Sequence, residues 1–300
     1  MTQPIRILLD TDIGNDPDDA IALAYLLASE RAELVGITTV SGDVDRRAAC
    51  AQVICRAAGR EDLPIHPGTS NVLFTGPGQP MVPHYDAIAN HPHRMDWPQH
   101  SAVEFMRQTI RENPGEITLV CTGPLTNVAL LLAMDHEIPQ MLAGLVTMNG
   151  CFDATSRQEL NAMVDPFATA MVYRAQVRNH LCIGMEATHD CRLTVQQVRQ
   201  HFLSPALKLV CTMADGWLHS PTDFRLNDTV AAVMAINPGL GDCEHGLVET
   251  AVTGDNGQAG RTHFTPLRNG PHRVVRSLDA AAVERELLGT LCPQPDRLAV

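Results

Sequence analysis

The stretch IRILLDTDIGNDPDDAIALAYLLA, residues 5–28, carries the reading of the fold. Ile5–Leu9 is a short apolar run and Ala20–Ala28 a longer one. Short apolar runs bounded by turn signals read as buried strands, and longer ones as helices. Between the two runs, Asp10, Asp12, Asp16, Asp18 and Asp19 place five carboxylates within ten residues. The spacing predicts an acidic cluster at the C-terminal end of a strand and the start of a helix. Open α/β sheets bind ligands at that edge.

Helix capping explains part of the cluster. Asp16 suits an N-cap, Pro17 the first helical position, and Asp18 and Asp19 the positive end of the helix dipole. Asp10, Asp12 and Gly14 are left over. Crowded carboxylates repel one another unless some are protonated or a cation lies among them. An oxygen-only donor set of this density suits Ca²⁺ or Mg²⁺ better than zinc.

Working outward, strand-like runs alternate with helical ones. Leu34–Val40, Leu63–His66, Ile117–Cys121, Leu145–Met148 and Leu181–Met185 read as strands. Ala48–Ala58, Ser101–Arg111, Leu125–Met134 and Pro166–Ala175 read as helices. The alternation predicts an α/β fold, a mostly parallel central sheet with helices on both faces, Rossmann-like, with its site at the C-terminal ends of the strands. Continuous apolar strands fit a sheet covered on both sides. With no internal repeat or low-complexity linker, residues 1–300 read as a single domain.

Two segments break the rhythm. Pro67–His100 is rich in Pro and Gly and carries His84, His91 and His93; loops this long are often lids or binding loops. The second segment is HSPTDFRLND, residues 219–228, before a helix at Thr229–Ile236. Strands at Leu247–Val252 and Thr262–Leu267, a helix near Asp279–Leu288 and a loose tail after Leu291 complete the expected order.

A formal net charge of −12 argues against a nucleic-acid partner, whereas uncharged nucleosides or sugars remain compatible. Nine cysteines, an odd number without a C-x-x-C pair, read as reduced residues of a cytoplasmic protein. Thirteen histidines show no cysteine-supported zinc spacing. Residues 1–10 hold no signal-peptide apolar core, and no apolar run reaches the roughly 18 residues of a membrane span. A cytosolic protein with no membrane partner is expected.

Four further stretches lie at predicted strand ends or helix starts: GITTVSGD (36–43), ITLVCTGPLTNVA (117–129), ELNAMVDPFA (159–168) and LNDTVAAV (226–233). With DTDIGNDPDDA (10–20) before them, the five in this order make the chain resemble the inosine-uridine-preferring nucleoside hydrolases from Ile5 to about Asp279. The opening motif is the longer variant, with two extra residues before the final DDA. The resemblance implies hydrolysis of the N-glycosidic bond of ribonucleosides, a bound Ca²⁺, and a homodimer or homotetramer. By matching position, Asp12, Asp19, Asp228 and the carbonyl of Thr122 are metal ligands, and Asp18 is the general base. Glu159 and Asn161 hold the ribose hydroxyls, and Asp10 supports the site. An oxygen-ligated cation of this kind holds ribose hydroxyls and makes a water more acidic.

The chain departs from the family pattern in places. Asp43 stands where the family has Asn, and Asn227 where it often has His or Trp. The Met148–Glu159 segment is short, leaving Asp153 as a candidate ribose contact. An Asn cannot deliver a proton to a departing base near pH 7. His219, Arg225 and His84 are therefore the candidate activators, with His219 preferred as a histidine next to the Asn227-Asp228 motif. The sequence leaves two alternatives. One is a haloacid-dehalogenase-type Mg²⁺ phosphatase, although Gly14 stands where its signature needs Thr or Val. The other is a nucleoside- or ribose-binding protein that has lost catalysis. The loop lacks the Gly and the twelfth-position Glu that an EF-hand requires.

Overall fold

The computed structural model describes residues 3–74, 76, 78–153, 155, 157–219, 223–253 and 258–292. Its first half is built from β1 (Ile5–Thr11), α1 (Pro17–Ala28), β2 (Ala32–Thr39), α2 (Val44–Ala57), β3 (Ile65–Pro67), α3 (Pro83–Ile88), α4 (Ala102–Glu112), β4 (Ile117–Cys121), α5 (Thr126–Met134), α6 (Ile138–Met141) and β5 (Gly144–Met148). The second half holds α7 (Leu160–Val164), α8 (Pro166–Arg174), β6 (His180–Ile183), β7 (Arg192–Leu193), α9 (Val195–His201), α10 (Pro205–Met213), α11 (Asp215–Leu218), β8 (Phe224–Arg225) and α12 (Asn227–Ile236). It ends with β9 (Gly241–Thr250), β10 (Thr262–Pro266), β11 (His272–Leu278) and α13 (Ala280–Leu291).

Nine strands form one sheet in the order β10-β9-β11-β6-β5-β4-β1-β2-β3. Every pairing from β3 to β11 along that order is parallel; β9 runs antiparallel to both β11 and β10. The chain winds outward through β2 and β3, then returns past β1 to β4, β5 and β6. That reversal opens a crevice beyond the carboxyl ends of β1 and β4. Asp10 pairs with Thr38 on one side and Cys121 on the other, so the residues just past these strands meet there.

Strand pleating divides the core. Ile7 and Leu9 face one apolar cluster with α1, α2, α10 and α12, while Leu8 faces the other with α4, α5 and α8. Both faces are therefore covered, which is why β1, β4 and β5 tolerate almost uninterrupted apolar sequence. All nine cysteines are free. Among the described residues, no helix is long and apolar enough to cross a membrane.

The structure differs from the expected order mainly after Ile183. Strand β11 was not expected, because His-Arg-Val-Val-Arg-Ser-Leu mixes charged with apolar residues. It pairs β6 on one side and the antiparallel β9 on the other, so only part of it needs an apolar surface. Strand β9 begins at Gly241, before the apolar run Leu247–Val252, because one half of it is exposed. Three helices, α9 to α11, occupy residues 195–218. The loose tail expected after Leu291 lies, beyond Cys292, outside the described residues.

Candidate active site

The loop from β1 to α1 opens the crevice. Gly14 has φ +127°, a backbone that residues with a Cβ rarely adopt. Pro17 begins α1, and Asp18 and Asp19 occupy its first turn. Asp16 stands at the N-cap but makes no capping hydrogen bond, so the capping expectation holds for position and not for the bond.

Asp18, Asp19 and Asp228 converge although more than 200 residues separate the last from the others. One carboxylate oxygen of each lies within 4.8 Å of the others. All three are buried. Helix α12 brings Asp228 alongside α1, and the Asp228 amide donates to Asp18 Oδ2 at 3.2 Å. The Thr229 hydroxyl donates to the Asp18 carbonyl at 2.9 Å. Asp19 Oδ1 accepts from the hydroxyls of Thr11 (2.6 Å) and Thr122 (2.7 Å). Among the described residues, Asp18 Oδ1 and Asp228 Oδ1 are buried without a hydrogen-bond partner. Burial, reinforced by the neighbouring carboxylates, pushes the pKa of all three up. Buried acceptors without donors are costly, and a cation placed among them removes both the orphaning and the repulsion. The residues present thus fit an oxygen-ligated cation.

Asp12 lines the same cavity, with its Oδ2 held by the Gln79 side-chain amide at 2.7 Å. Its carboxylate is outside the 4.8 Å trio, which instead contains Asp18. Asp10 is fully buried below the crevice. It accepts from Thr38 (2.6 Å) and Asn127 (2.8 Å) through Oδ1, tying β1 to β2 and α5. Burial raises its pKa to about 7.

A second carboxylate wall comes from α7. Glu159 caps that helix and accepts from the amides of Gly150, Asn161 and Ala162 at 2.8–3.0 Å. Burial still pushes its pKa up to about 7. Asn161 Nδ2 donates to the carbonyls of Thr122 (3.0 Å) and Met148 (3.1 Å). The Thr122 carbonyl retains a second lone pair for another partner. Together with Asn15, Asp16 and Leu160, these groups enclose a cavity of about 70 Å³.

Asp16, Asp18 and Asn227 also border a larger cavity of about 340 Å³, walled by Arg192, Trp217, Asp223 and Arg225. The Thr188 hydroxyl donates to Asn227 Oδ1 at 2.7 Å. Arg225, in β8, draws down the pKa of Asp16, which burial raises.

Four candidates from the sequence stand apart from these two cavities. Asp43 caps α2 by accepting from the Arg46 amide at 3.1 Å, and it pairs with the Arg46 guanidinium. Asp153 holds the Thr155 amide and Arg157. His84 is buried, and its backbone amide donates to the Gly14 carbonyl at 3.0 Å. His219 is 68% exposed, with Nδ1 2.9 Å from the Asp215 carbonyl. The side chains of Asp43, Asp153 and His219 each have a local partner that the sequence did not reveal, whereas His84 Nδ1 is buried with no partner among the described residues. Conversely, sequence reading missed Gln79, Asn15 and the charged wall at Arg192 and Asp223.

The family model described as inosine-uridine preferring nucleoside hydrolase matches residues 7–285. The pyrimidine-specific ribonucleoside hydrolase RihA of Shewanella sp. (strain ANA-3) is 29% identical over 270 residues, covering 81% of each chain. Uridine nucleosidase 1 of Arabidopsis thaliana is 27% identical, covering 83% of this chain and 79% of its own. An uncharacterized protein of Schizosaccharomyces pombe is 33% identical, with 65% of each chain aligned. In fold, the chain superposes on a plant nucleoside hydrolase with a TM-score of 0.84 at 23% identity, over 97% of this chain and 100% of that one. It superposes on a purine-preferring ribonucleoside hydrolase from Gardnerella vaginalis with a TM-score of 0.80 at 22% identity, over 95% and 98%. The phosphatase alternative finds no support in these likenesses. The chain belongs to the inosine-uridine preferring nucleoside hydrolase family, hydrolases of the N-ribosyl bond.

Proposed function

We propose that the protein is a Ca²⁺-dependent ribonucleoside hydrolase that releases ribose and a free nucleobase. The observation that carries this is the pair of buried oxygens, Asp18 Oδ1 and Asp228 Oδ1, partnerless among the described residues, on residues that line a small cavity sharing Asp16, Asp18 and Asn227 with a larger one. In this reading Asp12, Asp19, Asp228 and the Thr122 carbonyl hold the ion. Bound there, calcium would supply charge to hold the ribose hydroxyls and to acidify a water.

The chain's own residues do the rest. Asp18 takes a proton from the attacking water, which adds to C1′ as the bond to the base breaks. The transition state is expected to resemble an oxocarbenium ion, as in other glycoside hydrolyses. Glu159 and Asn161 hold the sugar in the small cavity. The base occupies the larger one, with Asn227 donating to it. Arg225 or Arg192 stabilises negative charge as the base departs, since a guanidinium never loses its proton near neutrality. His219, the residue favoured by sequence, keeps this role only if its segment moves toward the cavity when substrate binds. The reading takes the protein as a cytoplasmic homodimer or homotetramer.

The test is a panel of purine and pyrimidine ribonucleosides with ribose release as the readout, run with calcium and after chelation. Turnover restored by calcium is expected. Tight binding without turnover would establish a lapsed enzyme, and calcium-independent turnover would end the metal reading.

A further inference from the structure

We propose that Gln79 is a positioning residue for Asp12, and that Gly78–His84 is a fixed brace of the acidic loop rather than a lid. The proposal rests on the reading of Asp12 as a calcium ligand. Gln79 Nε2 donates to Asp12 Oδ2 at 2.7 Å and so takes one of its two oxygens, leaving the other for an ion. What makes this contact more than incidental is how firmly the backbone on both sides is held.

Arg47, on α2, is fully buried, and its hydrogen bonds go to backbone carbonyls. Its guanidinium donates to the carbonyls of Ser41 (2.7 Å), Asp12, Ile13 (3.1 Å) and Gln79 (2.8 Å). One rigid planar group thus ties the main chain of Asp12 to that of Gln79. From the other side, the Gln79 amide donates to Ser41 Oγ at 2.7 Å. Ser41 and Gly42 form a left-handed turn with φ 72° and 69°. A Cβ at Gly42 would lie 2.6 Å from the Gln79 carbonyl carbon and 2.8 Å from Pro80 Cα. The brace continues past Gln79. Val82 packs into the space that a Cβ at Gly14 would need, and the His84 amide donates to the Gly14 carbonyl.

Both ends of the Gln79–Asp12 hydrogen bond are therefore anchored to the same buried guanidinium. The Asp12 carboxylate is oriented before any ion arrives. Partners of this kind, which orient a metal-binding side chain, typically account for 10–100-fold in metal affinity.

Calorimetric titration of the chelator-stripped full chain with CaCl₂ tests the proposal. Gln79→Met keeps the length and removes the donor; Gln79→Ala provides a second variant if the first folds poorly. Each is expected to raise the calcium Kd about tenfold or more, while the melting temperature of the stripped protein stays within about 2 °C of native. Combined with Asp12→Asn, Gln79→Met should add no further loss, because it acts through that carboxylate. Additive losses, an unchanged Kd, or a stripped melting temperature that falls in step with affinity would each overturn the proposal. If the native chain takes up neither Ca²⁺ nor Mg²⁺, the metal reading falls with it. If the native chain binds calcium and Gln79→Met binds it equally well, only this proposal falls.

Discussion

The two cavities that meet at Asp18 share Asp16, Asp18 and Asn227 but differ in that, among the described residues, only the larger holds guanidinium groups. The smaller is walled by carboxylates and amides of Asp12, Asp18, Asp19, Glu159, Asn161 and Asp228, contributed by the loop after β1 and by the caps and first turns of α1, α7 and α12. The larger adds Arg192, Arg225 and the Trp217 ring, contributed by the short β7–β8 ribbon and by α11, to the carboxylates of Asp16, Asp18 and Asp223. An acidic cavity repels itself until a cation enters; a cationic wall draws negative charge away from the reacting bond. In the proposed reading, the two side by side would polarise a substrate whose sugar becomes positive and whose base becomes negative. Asp18 belongs to both linings, which is where a base acting on water at C1′ has to be.

The largest expected effect comes from removing that shared carboxylate. Asp18→Asn keeps shape and loses basicity, so kcat on a good nucleoside should fall on the order of 10²–10⁴-fold. Calcium uptake, measured by metal analysis, should survive. Asp12→Asn should do the reverse, weakening calcium retention first. Normal turnover by calcium-loaded Asp18→Asn would remove Asp18 from the base role. Loss of calcium in that variant would make Asp18 a ligand, as its place in the Asp18–Asp19–Asp228 trio allows.

The cationic wall predicts a smaller, substrate-dependent effect. Arg225→Ala should lower kcat on natural nucleosides about 10–100-fold, below the roughly 10²–10³-fold of a donor in an enclosed site because Arg225 is exposed. p-Nitrophenyl riboside, whose leaving group needs no help, should lose little. His219→Ala should change either substrate about twofold at most, given its exposure and its contact with the Asp215 carbonyl. If His219→Ala shows the selective loss and Arg225→Ala does not, the histidine is the activator and the segment closes over the substrate.

How much of this was readable in the sequence follows from how the groups are held. The acidic loop is local: strand, turn, Pro17 and helix lie within residues 5–28, so spacing alone located Asp12, Asp18 and Asp19 at a strand's end. Glu159, Asn161 and Asp228 were found through motifs whose geometry is also local, at the caps or first turns of α7 and α12. Gln79 and Arg47 were not legible, because their contacts reach 67 and 35 residues away to the loop at Asp12 and no periodicity marks them. Asp43 and Asp153 show the converse limit. A motif position places a backbone, but a nearby amide or guanidinium decides where the carboxylate is used. Strand β11 escaped because parallel pairing to β6 and antiparallel pairing to β9 stabilise it without an apolar run.

The smallest effect is thermal and reads the small cavity by pH. In the ion-free chain, burial raises the carboxylates of the small cavity, Glu159 to about 7 and Asp12 and Asp18 to about 6. A raised folded pKa means that the folded state binds more protons than the unfolded chain between about pH 4 and 7. Stability of the ion-free protein therefore falls as pH rises through that window. A bound cation keeps these groups ionised and removes the penalty. Protons and calcium compete for the same oxygens. The gain in melting temperature on adding calcium should be small at pH 5 and grow to a plateau near pH 7.5. Taking the difference between calcium-loaded and chelated samples cancels groups remote from the site, such as the buried His180, whose pKa is depressed by burial and which costs stability as pH falls. Differential scanning calorimetry of both samples across pH 5–8 makes the measurement. A calcium gain that is flat, or that shrinks as pH rises, would show that these buried carboxylates do not share the ion.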